Sequence, residues 1–299
     1  MNYRSILAGA PGGRHVPGSR PGIIIKSERE LARMRDAGRV NARALAAAMA
    51  AIRPGATTAD VDAAAAEVLV NAGAQAAFLG YPPGSRHPFP AATTVSVNQE
   101  LVHGIPGSRK LREGDIVSVD CGTFLEGFVG DSAITVGVGE VSEEARQLMD
   151  ATYRALAAAI ECMRPGLRTG DLGAAIQSTA EAAGFQVVRE YVSHGVGQSM
   201  HEDPQVPNFG RAGQGLPLKR GMTIALEPMV LAGRPETRLL DDHWTVESLD
   251  GRLTAHFEHS VAVGADGPVV LTALDEVLDG SPGEMYNEYF AGRMQPASG

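Results

Sequence analysis

Cysteine and tryptophan are nearly missing from this chain: two cysteines and one tryptophan occur in 299 residues. Cys121 and Cys162 cannot build a multi-disulfide framework or a four-cysteine zinc site, so a reducing, cytoplasmic setting is the simpler expectation. Basic side chains are outnumbered, 26 against 35, for a formal net charge of −9. That balance argues against a phosphate-gripping surface, and no specific nucleic-acid partner is expected. No apolar run approaches the roughly 20 residues that cross a bilayer. Residues 1–22 lack the apolar stretch of a secretory signal, so no membrane association is expected either. With 44% hydrophobic residues the chain has ample material for a large core.

Residues 1–22, rich in Gly, Pro and Arg and without hydrophobic period, read as a flexible arm. A single catalytic domain is expected over 23–280, with a tail at 281–299. Ser27 followed by Glu30 forms a capping box that opens a helix, and Pro54-Gly55 closes the segment. A weak internal repeat follows. "RPGATTADVDAAAAEVLVNAG" (53–73) returns as "RPGLRTGDLGAAIQSTAEAAG" (164–184), each copy behind an Ala-rich helix, with Thr58 and Thr169 as expected helix N-caps. "LREGDIVSVD" (111–120) returns as "LKRGMTIALE" (218–227), a turn and an alternating strand ending on a carboxylate. Two halves of helix, helix and strands, set face to face, would bring Asp120 and Glu227 to a common centre.

Acids recur in apolar strand contexts: Asp120 in "DIVSVDCG", Asp131 in "GFVGDSAITVGV", Glu227 in "MTIALEPMV" and Glu258 in "LTAHFEHSVAV". A buried carboxylate needs a cation or several hydrogen bonds, and Lys and Arg are scarce in these strands. Metal is the economical partner. Asp120 and Asp131 can close on each other across the hairpin "CGTFLEGFVG". Four carboxylates with two divalent cations and a bridging hydroxide come near neutrality, and an added imidazole disfavours a purely Mg or Ca site. "REYVSHGVGQSMHEDPQVPNF" supplies His194 and His201, seven positions apart. His103, in "SVNQELVHGIPG", is by itself more often structural. On strand alternation His256 shares a face with Glu258, where it would support the ligands, and His259 points away. His15, His87 and His243 read as structural or surface residues, and Cys162 as packing inside a helix. There is no HExxH, no G-x-S-x-G elbow and no complete phosphate-binding glycine fingerprint.

From "IIIKSERELARMRDAG" to about residue 275 the chain resembles the type I methionine aminopeptidases. The resemblance rests on six blocks in order: "VNQELVHGIPG", "LREGDIVSVDCG", "GFVGDSAITVGVG", "GFQVVREYVSHGVGQSMHEDPQVPNF", "GMTIALEPMV" and "FEHSVAV". It implies an α+β pita-bread fold, a pseudo-twofold repeat of helix-helix-strand halves around a central antiparallel sheet with the metal site at its centre. It implies two divalent metal ions (Co, Mn, Fe(II) or Zn) on Asp120, Asp131, His194, Glu227 and Glu258, with Asp131 and Glu258 bridging. It further implies that His103 and His201 contact substrate, that Glu227 shuttles the proton, and that a metal-bridging hydroxide attacks the first peptide bond. The implied substrate is the N-terminal methionine of nascent polypeptides, before a small second residue. A monomer is expected, with the Arg-containing arm a means of approach to the ribosome.

The family lines its methionine pocket with two cysteines, a tyrosine pair, a phenylalanine and a tryptophan. By position these correspond here to Thr94, Val102, Phe78, Tyr81, Met200 and Trp244. Thr94 and Val102 replace the cysteines, Met200 replaces phenylalanine, and Leu79 stands where a histidine is common. "PPGSRHPFPAA" (82–92) is longer than usual and is expected as a loop at the pocket rim. Other readings compete with this one. A prolidase or aminopeptidase P would carry a sizeable N-terminal domain ahead of the same five ligands. A metal-free binding module would have lost ligands that are all present. A paralogue with an altered pocket, narrowed in substrate or tolerant of inhibitors, is motivated by Thr94, Val102, Met200 and the rim loop. The gap between Glu227 and Glu258 has no room for the type II insertion.

Overall fold

The computed structural model describes residues 22–273. The expected tail at 281–299, and the expected arm apart from Gly22, lie outside the described residues. Helix α1 (Glu28–Ala51) opens as the sequence signals: the Ser27 hydroxyl accepts the Glu30 N–H, and the Glu30 carboxylate accepts the Ser27 N–H at 2.8 Å. Helix α2 (Thr58–Asn71) is capped one residue earlier than expected, by Thr57 with Asp60. Helix α3 is Glu143–Glu161, and α4 (Thr169–Ala182) starts behind Arg168, whose N–H is taken by the Asp171 carboxylate at 2.7 Å. The expected cap threonines do other work. The Thr58 hydroxyl accepts the Gly107 N–H at 2.9 Å, and that of Thr169 accepts the Leu216 N–H at 3.0 Å, each tying a helix start to a distant loop. Cys162 sits at the C-cap of α3, half-buried, rather than inside the helix.

The strands are β1 (Gln75–Ala76), β2 (Thr93–Val97), β3 (Glu100–Val102), β4 (Ile116–Leu125), β5 (Phe128–Gly137), β6 (Gln186–Val187), β7 (Val192–Gly195) and β8 (Glu202–Pro207). They continue as β9 (Thr223–Leu226), β10 (Met229–Leu231), β11 (Thr237–Leu239), β12 (Val246–Ser248), β13 (Thr254–His256), β14 (Glu258–Val263) and β15 (Pro268–Val270). The main sheet runs β1-β4-β5-β14-β9-β7-β8, with β2 on β4 and β15 on β14, and its pairings are antiparallel. Two small sheets, β13-β10-β6 and β11-β12-β3, flank it. In β4-β5-β14-β9 the repeat strands β4 and β9 lie symmetrically about the β5–β14 junction. Equivalent hydrogen bonds confirm the repeat. Leu111 N–H donates to Ala56 and Leu218 N–H to Leu167, both at 2.8 Å. Gly114 N–H donates to Val138 and Gly221 N–H to Val263, both at 2.9 Å.

Strand β4 does not end on Asp120 as expected, but continues to Leu125 because β5 pairs with it along its whole length. Glu126 and Gly127, both at positive φ, make the two-residue turn between paired Leu125 and Phe128, the twist-compatible hairpin geometry. Helix α1 packs on this hairpin at close range: a Cβ at Gly130 would stand 2.8 Å from the Gly38 backbone. The main buried cluster draws Leu45, Val61, Val117 and Ile134 from the first half and Leu156, Ile176, Ile224 and Val261 from the second. Among the described residues no helix is long and apolar enough to cross a membrane.

Candidate metal centre and substrate pocket

Strand register puts the five expected ligands on one face. Asp120 is paired with Ala133, which is paired with Glu258, so the three lie in one row across β4, β5 and β14. Asp131 is two residues from Ala133 and opposite Gly122, hence on the same side of the pleat. His194 is opposite Ala225, itself opposite Ser260 and two residues before Glu227. Small residues at Gly122, Ala133 and Ala225 stand between these groups, and the pocket wall packs directly on the first: a Cβ at Gly122 would stand 2.8 Å from Phe78 Cε1 and 3.0 Å from Met200 Cε.

Polar side chains hold this row. The Asn41 carboxamide, fully buried on α1, donates to the carbonyls of Cys121 and, at 3.1 Å, Gly130, each beside a ligand position. The Ser260 hydroxyl accepts the Asp131 N–H at 3.1 Å and donates to its carbonyl at 2.9 Å. The Ser193 hydroxyl accepts the Glu227 N–H at 3.0 Å. Sequence reading missed Asn41. Its signal was a polar residue on the buried stripe of an otherwise Ala-rich helix.

The site is short of positive charge. No Lys or Arg lines the cavity, and Oδ1 of Asp120, Oδ1 of Asp131 and Oε1 of Glu258 are buried without any hydrogen-bond partner among the described residues. Burial pushes the Asp120 carboxyl up to about 8. Burial first, and neighbouring carboxylates second, hold Asp131, Glu227 and Glu258 well above the usual range. Asp131, His194 and Glu258 each present a ligand atom within 4.8 Å of the others. His194 Nε2 lies 3.7 Å from Asp131 Oδ2 and 3.5 Å from Glu227 Oε1. Its Nδ1 lies 2.9 Å from the Gly195 carbonyl, which leaves Nε2 free to ligate, and burial lowers its pKa to about 4, so it is neutral. Orphaned acidic oxygens around a neutral imidazole fit a divalent cation. His256 Nε2 is also buried without a hydrogen-bond partner among the described residues, 3.8 Å from Glu227 Oε2 and 3.9 Å from Glu258 Oε2. His259 turns away to Thr272 Oγ1 at 2.8 Å, as alternation predicts.

The same cavity has an apolar side. Phe78, Tyr81, Thr94, Val102, Met200 and Trp244, the positions expected from the resemblance, all line it, as do His103 and His201. Phe89 was missed. It comes from the rim loop, is 2% exposed, and sets its ring edge-on to Trp244 at 5.2 Å and to Phe78 at 6.4 Å. Its backbone pairs with Gly80 and Tyr81, and Trp244 Nε1 donates to the His87 carbonyl at 2.9 Å, so the loop is fastened to the pocket wall. The loop contains no strand, as expected. Tyr191 and Met229 also line the cavity, and Leu79 is exposed. The Tyr81 hydroxyl lies 2.8 Å from His201 Nδ1. Burial, then the neighbouring His194 and His103 imidazoles, which would repel a second protonated ring, keep the His201 pKa well below 6.5. Burial lowers that of His103 to about 4.

Fold and cavity together define a metallohydrolase: a nest of acids and one imidazole that fits a divalent cation, adjoining a pocket for one apolar side chain. The model of metallopeptidase family M24 matches residues 32–265. The methionine aminopeptidase of Clostridium perfringens is 45% identical over 252 residues, 84% of this chain and 99% of that protein. Methionine aminopeptidase 1 of Mycobacterium tuberculosis is 43% identical over 83% of this chain and 94% of its own length. The crystal structure of a Thermotoga maritima methionine aminopeptidase superposes with a TM-score of 0.81 at 43% identity, covering 84% of this chain and 99% of that one. A Pyrococcus furiosus prolidase shares the fold at 22% identity with a TM-score of 0.68, covering 85% of this chain and 66% of its own. The chain belongs to metallopeptidase family M24 and, within it, to the methionine aminopeptidases. The expected pita-bread architecture and the dependence on divalent metal follow from that membership.

Proposed function

We propose that this enzyme removes the N-terminal methionine from nascent proteins and peptides, preferring a small second residue. The observation that carries the reading is the single cavity in which partnerless buried carboxylates meet a wall of Phe78, Tyr81, Phe89, Met200 and Trp244. Unbranched methionine suits such a wall, where thioether and aromatic surfaces pack favourably. Asp120, Asp131, His194, Glu227 and Glu258 would hold two divalent ions; Co, Mn, Fe(II) and Zn all suit this donor set. Bound there, the ions activate water at neutral pH and polarise the scissile carbonyl.

The chain's own groups do the rest. With the Tyr81 hydroxyl donating to Nδ1, the neutral His201 ring carries its proton on Nε2 and donates to the oxyanion that develops on the substrate carbonyl. His103, its ring packed edge-on to Tyr191 and Trp244, is held to hydrogen-bond the scissile amide. Glu227 carries the proton from the attacking water to the departing amine.

The test is release of free methionine from Met-Ala-Ser and Met-Lys-Ser by chelated protein titrated with Mn, Fe(II), Co(II) or Zn. Metal-dependent turnover of the first peptide, little of the second, and none by Asp120→Ala protein is the expected result. Absence of turnover with two metals bound would sink the substrate assignment. Thr94, Val102 and Met200 on the pocket wall favour a second, narrower reading, a pocket altered in width or inhibitor response. Unchanged kinetics in the combined Thr94→Cys, Val102→Cys, Met200→Phe variant would dispose of it.

A further inference from the structure

The irregular segment between β7 and β8 carries two pocket residues, Met200 and His201, and its shape is set by the side chain that follows them. Glu202 Oε1 accepts the Gln198 N–H at 2.8 Å and the Ser199 N–H at 3.2 Å. Glu202 Oε2 accepts Lys26 Nζ at 2.5 Å, and both side chains are almost wholly buried, 2% and 5% exposed. Lys26 is itself anchored: its N–H donates to the Gly221 carbonyl at 2.8 Å and its Nζ also reaches the Ile24 carbonyl at 3.3 Å. The pair bears directly on the loop, since a Cβ at Gly197 would stand 2.5 Å from Lys26 Cε and 2.6 Å from Glu202 Oε1. The Gly197 carbonyl accepts the Val129 N–H at 2.8 Å, which fastens the loop to β5 two residues before Asp131.

A buried ion pair adds little net stability over an apolar replacement, because desolvation offsets its Coulombic gain. What it supplies is a defined geometry. Lys26 lies next to the cap of α1, the helix that braces the Asp120–Asp131 hairpin, so the bridge references the substrate loop to the ligand strands.

We propose that Lys26 and Glu202 are a positioning pair for catalysis. They hold residues 196–201 so that the Met200 thioether completes the apolar pocket and the His201 imidazole, bonded to Tyr81, faces the reacting amide. Neither touches substrate. The proposal rests on the aminopeptidase reading above and adds residues that act through His201 and Met200.

The test compares the full-length, metal-loaded protein with Lys26→Met, Lys26→Arg and Lys26→Met/Glu202→Gln variants. Read-outs are kcat and KM on Met-Ala-Ser, the same for the norleucine analogue, metal content, melting temperature, and hydrogen exchange of residues 196–202. Lys26→Met is expected to keep its metal and lose about ten- to hundredfold in kcat, the effect of a misplacement of about 1 Å. Its methionine-to-norleucine ratio should move by about threefold, and Lys26→Arg should restore most of the kcat. The double variant leaves no unpaired buried charge, so its melting temperature recovers while its kcat and side-chain selectivity do not. Activity that merely tracks melting temperature across the series, or a Lys26→Met protein altered only in stability, would overturn the proposal. If Lys26→Met does not fold, the double variant decides alone. Hydrogen exchange keeps this test separate from the aminopeptidase reading. Loss of protection at 198 and 199 in the double variant supports the pair whatever the substrate, and unchanged protection refutes it.

Discussion

Stripping the metal should leave a protein whose stability falls as pH rises from about 6.5 to 8. In the fold, burial keeps the Asp120 carboxyl protonated up to about 8, whereas its ordinary value is 3.8. Across that interval the folded state binds a proton that the unfolded chain has released. Stability then declines with rising pH by about 1.4 kcal/mol per pH unit for each such proton. Below 6.5 an opposite contribution masks the effect. Burial lowers His103, His194 and His259 to about 4 and His256 to about 3, so they stay neutral in the fold and take up protons on unfolding. Their contribution makes stability rise with pH until the ordinary histidine value of 6.5 is passed. Above it only the carboxyls remain. Asp120 alone then removes about 2 kcal/mol between pH 6.5 and 8, which is about 4–8 °C in melting temperature for a chain of this size. Asp131, Glu227 and Glu258 act in the same direction. Calorimetry of chelator-treated protein at half-unit pH steps is the assay, beside protein reloaded with Mn or Co. The reloaded protein should be flat over the window, because a cation favours the ionised ligands. A flat profile without metal would refute the argument that these acids lack compensation in the bare fold.

Tyr81→Phe removes the hydroxyl at His201 Nδ1 and should lower kcat about tenfold, the worth of one hydrogen bond, with KM nearly unchanged. An equal fall in affinity would place Tyr81 in substrate binding instead. Phe89→Ala empties a wall position that is 2% exposed and should cost about 3–5 kcal/mol by denaturant unfolding. It should also relax discrimination against N-terminal residues bulkier than methionine, whereas unchanged discrimination would mean the rim loop does not border the bound side chain. Gly38→Ala drives a Cβ to 2.0 Å from the Leu271 carbonyl and should destabilise by about 1–3 kcal/mol or more. A neutral unfolding curve would show that α1 is free to shift.

Much of the candidate site was legible because metal ligation needs particular atoms at particular chain positions. Asp120, Asp131, Glu227 and Glu258 stood out as acids in apolar strands with no nearby Lys or Arg, a contradiction that only an unseen cation or hydrogen bonds could resolve. The halves were legible too, since matching turns and strands recur at 111 and 218. Helix starts were read one residue late at Thr58 and Thr169. Local propensity makes threonine a good cap, but it cannot register that Gly107 and the Leu216 N–H, far along the chain, compete for those hydroxyls. Phe89 escaped for a related reason: within "SRHPFP" nothing distinguishes an aromatic that returns to the pocket from one that faces water.

The sequence by itself determined the chemistry: which groups can bind a cation, where helices begin to within a residue, and that two similar halves must meet. Those properties are local, written in side-chain type and in periods of two and of about four residues. Only the tertiary structure decided which groups become neighbours. Strand register aligned Asp120, Ala133 and Glu258 in one row. Helix docking set Asn41 beneath the hairpin, and the course of the chain brought Lys26 to Glu202. Register depends on how all the strands pack at once, and a one-residue slip would carry each ligand to the opposite face.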